Sequence, residues 1–245
     1  MSPKIIAHRG ASGEAPENTL SAIHAALRKS VDFIEIDVRL SKDGVPVVIH
    51  DDSISRITGD LHSLKVDELL SHEIREFDVG TWFGEEFKGE KIPLLSDLFA
   101  FDWAHTGLMI EIKESLSPDA VVVEAVFKVL ESAEKLPSEL VIGSFSPSIL
   151  AEVQRRSASS HVKVNFIGIL EELEFIDRFS AIGVTHLAIW DKMLSLSLIQ
   201  SLKERDIEIW SFTVDDIDMI HLLTSMNLDG LISNHPDRLY RNINF

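Results

Sequence analysis

The chain has 245 residues, of which 45% are hydrophobic, so it can bury one sizeable core, and a single α/β barrel commonly fills this length. Asp and Glu outnumber Lys and Arg by 40 to 23, and the net charge of −17 disfavours partners such as nucleic acid or a stably bound membrane surface. The chain has no cysteine, which excludes disulfides and thiolate metal sites. A bound metal would therefore need carboxylate or histidine ligands.

Short β-branched runs alternate with longer segments of helical period along the whole chain. The predicted strands are 5–7, 33–40, 108–113, 140–144, 162–169, 186–189, 207–214 and 230–233. The predicted helices are 18–29, 95–103, 119–135, 147–156, 173–182, 195–205, 216–226 and one that begins at Pro236. About eight alternations indicate parallel βαβ units in the α/β class, and a closed (β/α)₈ TIM barrel fits the length best, with an open doubly wound sheet as the alternative.

The hydrophobic runs are short compared with targeting or membrane segments. The first run, 5–7, ends at His8 and is too short for the core of a signal peptide. No run approaches the roughly 18 apolar residues of a membrane span. We therefore expect a cytoplasmic protein, and the sequence leaves the oligomeric state open.

Residues 33–50 interrupt the alternation with a hairpin pattern. Asp43-Gly44 stands between two alternating runs, which is typical of a two-residue turn. That turn would pair Asp37 with His50 across the hairpin. Because side chains alternate along a strand, Glu35 and Asp37 would share one face, and His50 would join them there.

Residues 52–93 read as an insertion within a single domain that spans residues 1–245. They contain four glycines and only one short helical pattern, at 66–70. We expect them to form a small subdomain after the second strand, over its carboxyl end.

Polar side chains follow or end three predicted strands. His8 and Arg9 follow the first strand, Glu35 and Asp37 lie in the second, and Glu111 lies in the third. Because the carboxyl ends of barrel strands meet at one rim, we expect these groups to converge. Three carboxylates without cysteine form an oxygen site suited to Mg²⁺ or Ca²⁺.

The remaining groups near this rim are bases and cations. His8 and His50 could supply an acid and a base, and Arg9 and Lys113 could hold phosphate oxygens. This inventory predicts phosphodiester cleavage. Glu17 opens a helix, and it is either part of that helix start or a support for Arg9.

Seven motifs in chain order resemble the glycerophosphodiester phosphodiesterase family: AHRG, PENT, EIDVRLSKDGVPVVIHDD, GTWFGEEFKGEKIPLLSDL, LMIEIK, IWSFTVDD and DGLISNHPD. The resemblance runs from about residue 4 to residue 238. It implies a (β/α)₈ barrel with an inserted subdomain, a divalent cation, and hydrolysis of glycerophosphodiesters to sn-glycerol 3-phosphate and an alcohol.

The resemblance also implies a role for each matching position: His8 and His50 as the acid–base pair, Glu35, Asp37 and Glu111 as metal ligands, and Arg9 and Lys113 as phosphate contacts. A substrate contact by Trp210 rests mostly on the resemblance, with core packing as the alternative. The segment Ser233-Asn234-His235 departs from the family pattern, and we assign it no catalytic role.

The neighbouring hydroxyl of glycerol is an internal nucleophile in such a substrate, so a cyclic phosphate is the expected intermediate. By analogy with related cyclising phospholipases, His8 would be the base and His50 the acid. Two alternatives stay open: a lyase of the same superfamily that releases a cyclic phosphate from a lipid, and a catalytically silent binding barrel. The sequence chooses neither the alcohol nor the cation.

Overall fold

A computed structural model describes residues 2–243, and at its centre eight parallel strands close into a ring. In chain order the strands are β1 (Lys4–Ala7), β2 (Phe33–Leu40), β3 (Pro46–Val48), β4 (Gly107–Ile112), β5 (Leu140–Ser144), β6 (Asn165–Leu170), β7 (His186–Trp190), β8 (Glu208–Phe212) and β9 (Gly230–Ser233). Every strand except β3 belongs to the ring, which closes because β1 pairs with both β9 and β2. The predicted TIM barrel is confirmed.

Most of the helices connect successive barrel strands around the outside of the ring, whereas the second lies in the segment between β3 and β4 and the last follows β9. They are α1 (Leu20–Leu27), α2 (Ser71–Ile74), α3 (Asp119–Ser132), α4 (Pro147–Ser157), α5 (Ile176–Ala181), α6 (Leu196–Lys203), α7 (Ile217–Ser225) and α8 (Pro236–Ile243). Thr19, Ser195 and Asp216 cap α1, α6 and α7, because each side chain accepts a hydrogen bond from a backbone N–H three residues on. Among residues 2–243, no helix has the length and apolar character that crossing a membrane requires.

Six short 3₁₀ helices complete the structure: Arg56–Thr58, Val66–Glu68, Glu85–Phe87, Leu95–Ala100, Leu173–Phe175 and Asp191–Met193. The helix predicted over 95–103 is therefore a 3₁₀ helix and not an α-helix. Its period of three places Leu95 and Leu98 on one side, and both are fully buried.

Two apolar layers hold the barrel together. The larger layer lies between the strands and the outer helices, and the smaller layer fills the ring itself. Phe33, Met109 and Trp210 are among the residues inside the ring. Because alternate residues of a strand share a face, the inward columns that begin at Phe33 and Met109 continue into Glu35, Asp37 and Glu111.

The segment between β3 and β4 has an apolar cluster of its own. The cluster consists of buried aliphatic side chains from β3 and from the segment itself, including its short helices: Val47, Ile49, Ile54, Ile57, Val66, Ile74, Val79 and Ile92. The segment thus packs as a compact unit that starts and ends beside β3.

The hairpin of β2 and β3 differs from the prediction by one residue. Val38 lies opposite Val48, so the predicted pairing of Asp37 with His50 is wrong. The loop has three residues and ends at Gly44, whose φ of +74° is the left-handed conformation that closes a three-residue hairpin loop. A glycine in this position is compatible with a two-residue or a three-residue loop. The sequence pattern therefore did not determine the loop length, and the predicted register was one residue off.

Candidate active site

Three carboxylates meet at the carboxyl end of the ring. Glu35 and Asp37 come from β2 and Glu111 from β4, and the parallel register places Asp37 opposite Glu111. All three side chains are buried, and each offers one oxygen that lies within 4.8 Å of the corresponding oxygens of the other two. The predicted metal ligands are therefore brought together.

Burial and mutual repulsion make this cluster unfavourable without a compensating charge. Burial, with the neighbouring charges of Asp37 and Glu111, raises the pKa of Glu35 well above its usual value. Burial also raises the pKa of Glu111, and Asp37 adds to that increase. Glu35 Oε1 is buried and has no hydrogen-bond partner among the described residues. An oxygen that is buried and unpartnered is suited to a cation.

Arg9 and Lys113 lie against the same carboxylates. Arg9 Nε is 3.1 Å from Asp37 Oδ2, and Lys113 Nζ is 2.9 Å from Asp37 Oδ1 and also contacts Glu111. Although burial opposes it, Lys113 and Arg9 hold the pKa of Asp37 below its usual range. Arg9 Nη1 also donates to Glu17 Oε1 at 2.8 Å, so the structure brings Glu17 to Arg9 as a support.

The Glu17-Asn18-Thr19 segment serves both as a helix start and as part of the site. Thr19 caps α1, whereas Asn18 donates to Asp37 Oδ2 at 2.8 Å and accepts from the Asp37 backbone N–H at 3.2 Å. Asn18 holds a left-handed φ of +58°, and Arg9 one of +55°. Strained backbone of this kind is characteristic of binding sites.

His8 follows β1 directly and comes level with Glu35, because Ala7 is the β-sheet partner of Ile34. His8 Nε2 lies 4.0 Å from Glu35 Oε2, and His8 Nδ1 lies 2.8 Å from Asn234 Oδ1. Burial, with a further contribution from Arg9, lowers the pKa of His8 to about 4. His8 is therefore neutral at neutral pH.

Sequence reasoning assigned no role to Asn234, yet it is the hydrogen-bond partner of His8. Its amide nitrogen donates to Asp215 Oδ2 at 2.6 Å, and its backbone N–H donates to Asp215 Oδ1 at 2.9 Å. Asn234 follows β9, the strand beside β1. A search for every residue that directly follows a barrel strand would have found it.

His50 reaches the site by a route that strand alternation does not describe. β3 ends at Val48, and the chain bends before His50, which lines the same cavity as His8. His50 Nδ1 lies 2.6 Å from Asp51 Oδ1, and the His50 backbone oxygen accepts from Arg39 Nε at 2.7 Å. The predicted grouping of His50 with the carboxylates therefore holds, although its predicted register is wrong.

A cavity of about 410 Å³ opens above these groups and has two different halves. One half contains both histidines, the two cations Arg9 and Lys113, and the carboxylates of Glu35 and Glu111. The other half is built at the ends of β5 to β8 and combines the aromatic rings of Phe145, Trp190 and Phe212 with charged side chains: Glu171, Asp191 and Lys192. The Phe145 and Phe212 rings meet edge to face with centroids 6.0 Å apart.

Trp210 is not among the residues that line this cavity. It lies inside the ring, 1% exposed, where it packs against Phe33 and donates from Nε1 to Glu208 Oε1 at 2.8 Å. The core-packing alternative describes this placement. Phe212, two residues further along β8 on the same face, lines the cavity instead.

A family model described as the glycerophosphoryl diester phosphodiesterase family matches residues 8–238. The chain belongs to this family. The match includes every predicted site residue and confirms the family resemblance and phosphodiesterase activity on glycerophosphodiesters.

Individual relatives align with this chain over nearly their full length. The chain is similar to the glycerophosphodiester phosphodiesterase of Caldanaerobacter subterraneus subsp. tengcongensis, with 30% identity covering 98% of this chain and 97% of the relative. It is 29% identical to the Bacillus altitudinis glycerophosphodiester phosphodiesterase, covering 96% of each. It also superimposes on an Oleispira antarctica phosphodiesterase solved with its product sn-glycerol 3-phosphate, with a TM-score of 0.89, 26% identity, and coverage of 100% of this chain and 98% of that one.

Proposed function

We propose that the protein hydrolyses glycerophosphodiesters to sn-glycerol 3-phosphate and an alcohol through a cyclic phosphate, with Mg²⁺ or Ca²⁺ as cofactor. The observation that carries this proposal is a cluster of three buried carboxylates, two of which, Glu35 and Glu111, line one cavity together with both histidines. The Oleispira antarctica relative, which binds sn-glycerol 3-phosphate as product, supports the same substrate class.

Glu35, Asp37 and Glu111 fit a hard divalent cation. They present anionic oxygens within 4.8 Å of one another, and Glu35 Oε1 has no other described partner. The cation would offset negative charge on the phosphoryl oxygens and acidify the attacking hydroxyl. Arg9 and Lys113, which lie beside the same carboxylates, would hold phosphoryl oxygens from the protein side.

The hydrogen bonds of the two histidines favour different roles. Asn234 presents its oxygen to His8, so His8 Nδ1 carries the proton and Nε2 keeps a free lone pair, which makes His8 the base in the first step. His50 Nδ1 faces the Asp51 carboxylate, which stabilises a protonated imidazole. Burial lowers the pKa of His50, and Asp51 opposes that decrease. We assign His50 as the acid on the geometry of its contact with Asp51.

The proposed reaction has two steps. The 2-hydroxyl of glycerol attacks phosphorus, His8 Nε2 takes its proton, and the bond from phosphorus to the alcohol oxygen breaks as His50 protonates that oxygen. Water then opens the cyclic phosphate, with neutral His50 accepting the water proton and protonated His8 returning its proton to the 2-oxygen. Phe145, Phe212 and Trp190 would contact the carbon atoms of the substrate.

The test is release of sn-glycerol 3-phosphate from the choline, ethanolamine, inositol and glycerol diesters, with Mg²⁺, Ca²⁺ or chelator. We expect release with at least one cation and none with chelator. A final product that remains cyclic by phosphorus NMR would indicate a lyase, and no turnover of any diester would indicate a silent binding barrel. The cytoplasmic location stays a prediction that cell fractionation can check.

A further inference from the structure

Arg56 lies outside the set of groups described so far, in the inserted segment. Its guanidinium uses three nitrogens. Nη1 and Nη2 donate to the two carboxylate oxygens of Glu17 at 2.8 Å each, and Nε donates to Asp51 Oδ2 at 2.8 Å. Glu17 belongs to the loop after β1, and Asp51 follows the hairpin. One side chain thus joins two separate parts of the rim.

The far oxygen of Asp51 holds His50. Asp51 Oδ1 lies 2.6 Å from His50 Nδ1, while Asp51 Oδ2 receives Arg56 Nε. The two oxygens of a carboxylate are rigidly connected. When Arg56 fixes the position of Asp51 Oδ2, it therefore also fixes the direction in which Asp51 Oδ1 faces the imidazole. His50 lies beyond the end of β3, where no strand ladder fixes it. The orientation of its ring therefore depends on Asp51.

Arg56 is itself held in place from two sides. Glu17 grips it with a bidentate pair, the planar geometry that arginine provides and lysine does not. The next residue, Ile57, is buried in the apolar cluster of the inserted segment. Packing of that segment therefore sets the position of Arg56, and through it the position of His50.

We propose that Arg56 is a positioning residue that orients the His50 imidazole through Asp51, an inference that rests on the proposed function. The inserted segment thereby completes the acid of the reaction, although none of its residues need touch the substrate. Arginine at position 56 is required for its fork of donors as well as for its charge.

The test compares Arg56→Gln with Arg75→Gln. Arg75 is a matched control because both side chains are 44% exposed and both tie the inserted segment to the barrel, with Arg75 Nη2 3.3 Å from Asp97 Oδ2. We expect Arg56→Gln to lower kcat for glycerophosphocholine by about 10-fold or more, with an upper limit set by the about 10²–10⁴-fold that a positioned acid contributes. Arg75→Gln should retain the wild-type kcat.

The leaving group separates a positioning role from a structural one. A p-nitrophenyl diester needs little protonation of its leaving group, so the Arg56→Gln defect in kcat should shrink to a few-fold on that substrate. Arg56→Lys keeps the charge without the fork, and we expect it to recover only part of kcat. Urea unfolding of both variants accompanies the kinetics, and if Arg56→Gln does not fold, Arg56→Lys carries the leaving-group comparison.

A double-mutant cycle with His50→Ala closes the test. If Arg56 acts through His50, Arg56→Gln should cost less than about 3-fold in the His50→Ala background. The same fold loss in both backgrounds, or a wild-type kcat in Arg56→Gln, would overturn the proposal. Failure of the proposed function looks different, because the wild type and Arg75→Gln would then both release no sn-glycerol 3-phosphate.

Discussion

His8 and Asn234, which are 226 positions apart in the chain, are joined by a 2.8 Å contact between His8 Nδ1 and Asn234 Oδ1. Asp215 binds the amide nitrogen of Asn234 and so turns its oxygen toward the imidazole. A neutral amide oxygen accepts the Nδ1 proton and favours a charged ring only weakly, so that burial still lowers the pKa of His8. This contact leaves Nε2 of His8 as the nitrogen that would act as the proposed base.

Asn234→Asp tests that relationship with a side chain of nearly the same shape. The new carboxylate would favour protonated His8 and would repel Asp215, so we expect kcat to fall by up to the about 10²-fold that a positioned base commonly contributes. Steady-state kinetics at neutral pH provide the measurement. Asn165→Asp, at the exposed start of β6, is the control and should keep wild-type kcat. Equal activity of both variants would remove Asn234 from the mechanism.

Glu111→Gln tests the carboxylate cluster by binding as well as by activity. Changes to groups that merely support metal ligands commonly cost about 10–100-fold in affinity, and loss of a ligand oxygen should cost at least as much. Titration calorimetry with Mg²⁺ and Ca²⁺ measures the effect directly. Glu114→Gln, three residues on and exposed, should bind both cations normally. Unchanged cation affinity in Glu111→Gln would refute the ligand assignment.

The two histidines should respond differently to the leaving group. His8→Ala and His50→Ala should each lose about 10²–10⁴-fold in kcat on natural diesters. On a p-nitrophenyl diester, His50→Ala should recover much of its rate because the leaving group needs no acid, and His8→Ala should not. His221→Ala, at an exposed helix position, serves as control. Rescue of His8→Ala alone would reverse the assigned roles.

The contacts of Glu208 should make an acid-sensitive contribution to the free energy of unfolding. His186, followed by Trp210 and Lys4, binds its carboxylate and lowers the pKa of Glu208 to about 2. A lowered carboxylate pKa stabilises the fold above the unfolded value of about 4.3, and this contribution is lost as the pH falls from there toward 2. In urea unfolding, the free energies of unfolding of wild type and Glu208→Gln should therefore converge as the pH falls over that range. Glu134→Gln should show no such convergence.

The strands and the carboxylate cluster could be predicted because both follow from local rules. β-branched runs mark strands, and neighbouring parallel strands bring Asp37 opposite Glu111 without further information. The position of His8 at the rim of the barrel could be predicted by the same reasoning. His8 directly follows a predicted strand, and this alone places it at the carboxyl end of the barrel.

Other features depend on distances that a pattern does not contain. Trp210 and Phe212 share a face of β8, and only the stagger of the strands around the ring decides which of them reaches the cavity. The contact of Asn234 with His8 exists because β9 pairs with β1 and closes the ring. The bidentate bond of Arg56 to Glu17 depends on how the inserted segment docks, which no strand pattern encodes.

In the proposed mechanism the 2-hydroxyl of glycerol attacks the phosphorus. The most direct measurement is turnover of the 2-deoxy analogue of glycerophosphocholine, followed by phosphorus NMR beside the natural substrate. An internal nucleophile has an effective molarity of about 10⁵ M or more, so the analogue should bind as a competitive inhibitor and be cleaved hardly at all. The natural substrate should pass through a transient cyclic phosphate. Cleavage of the analogue at a rate comparable to the natural substrate would contradict the account.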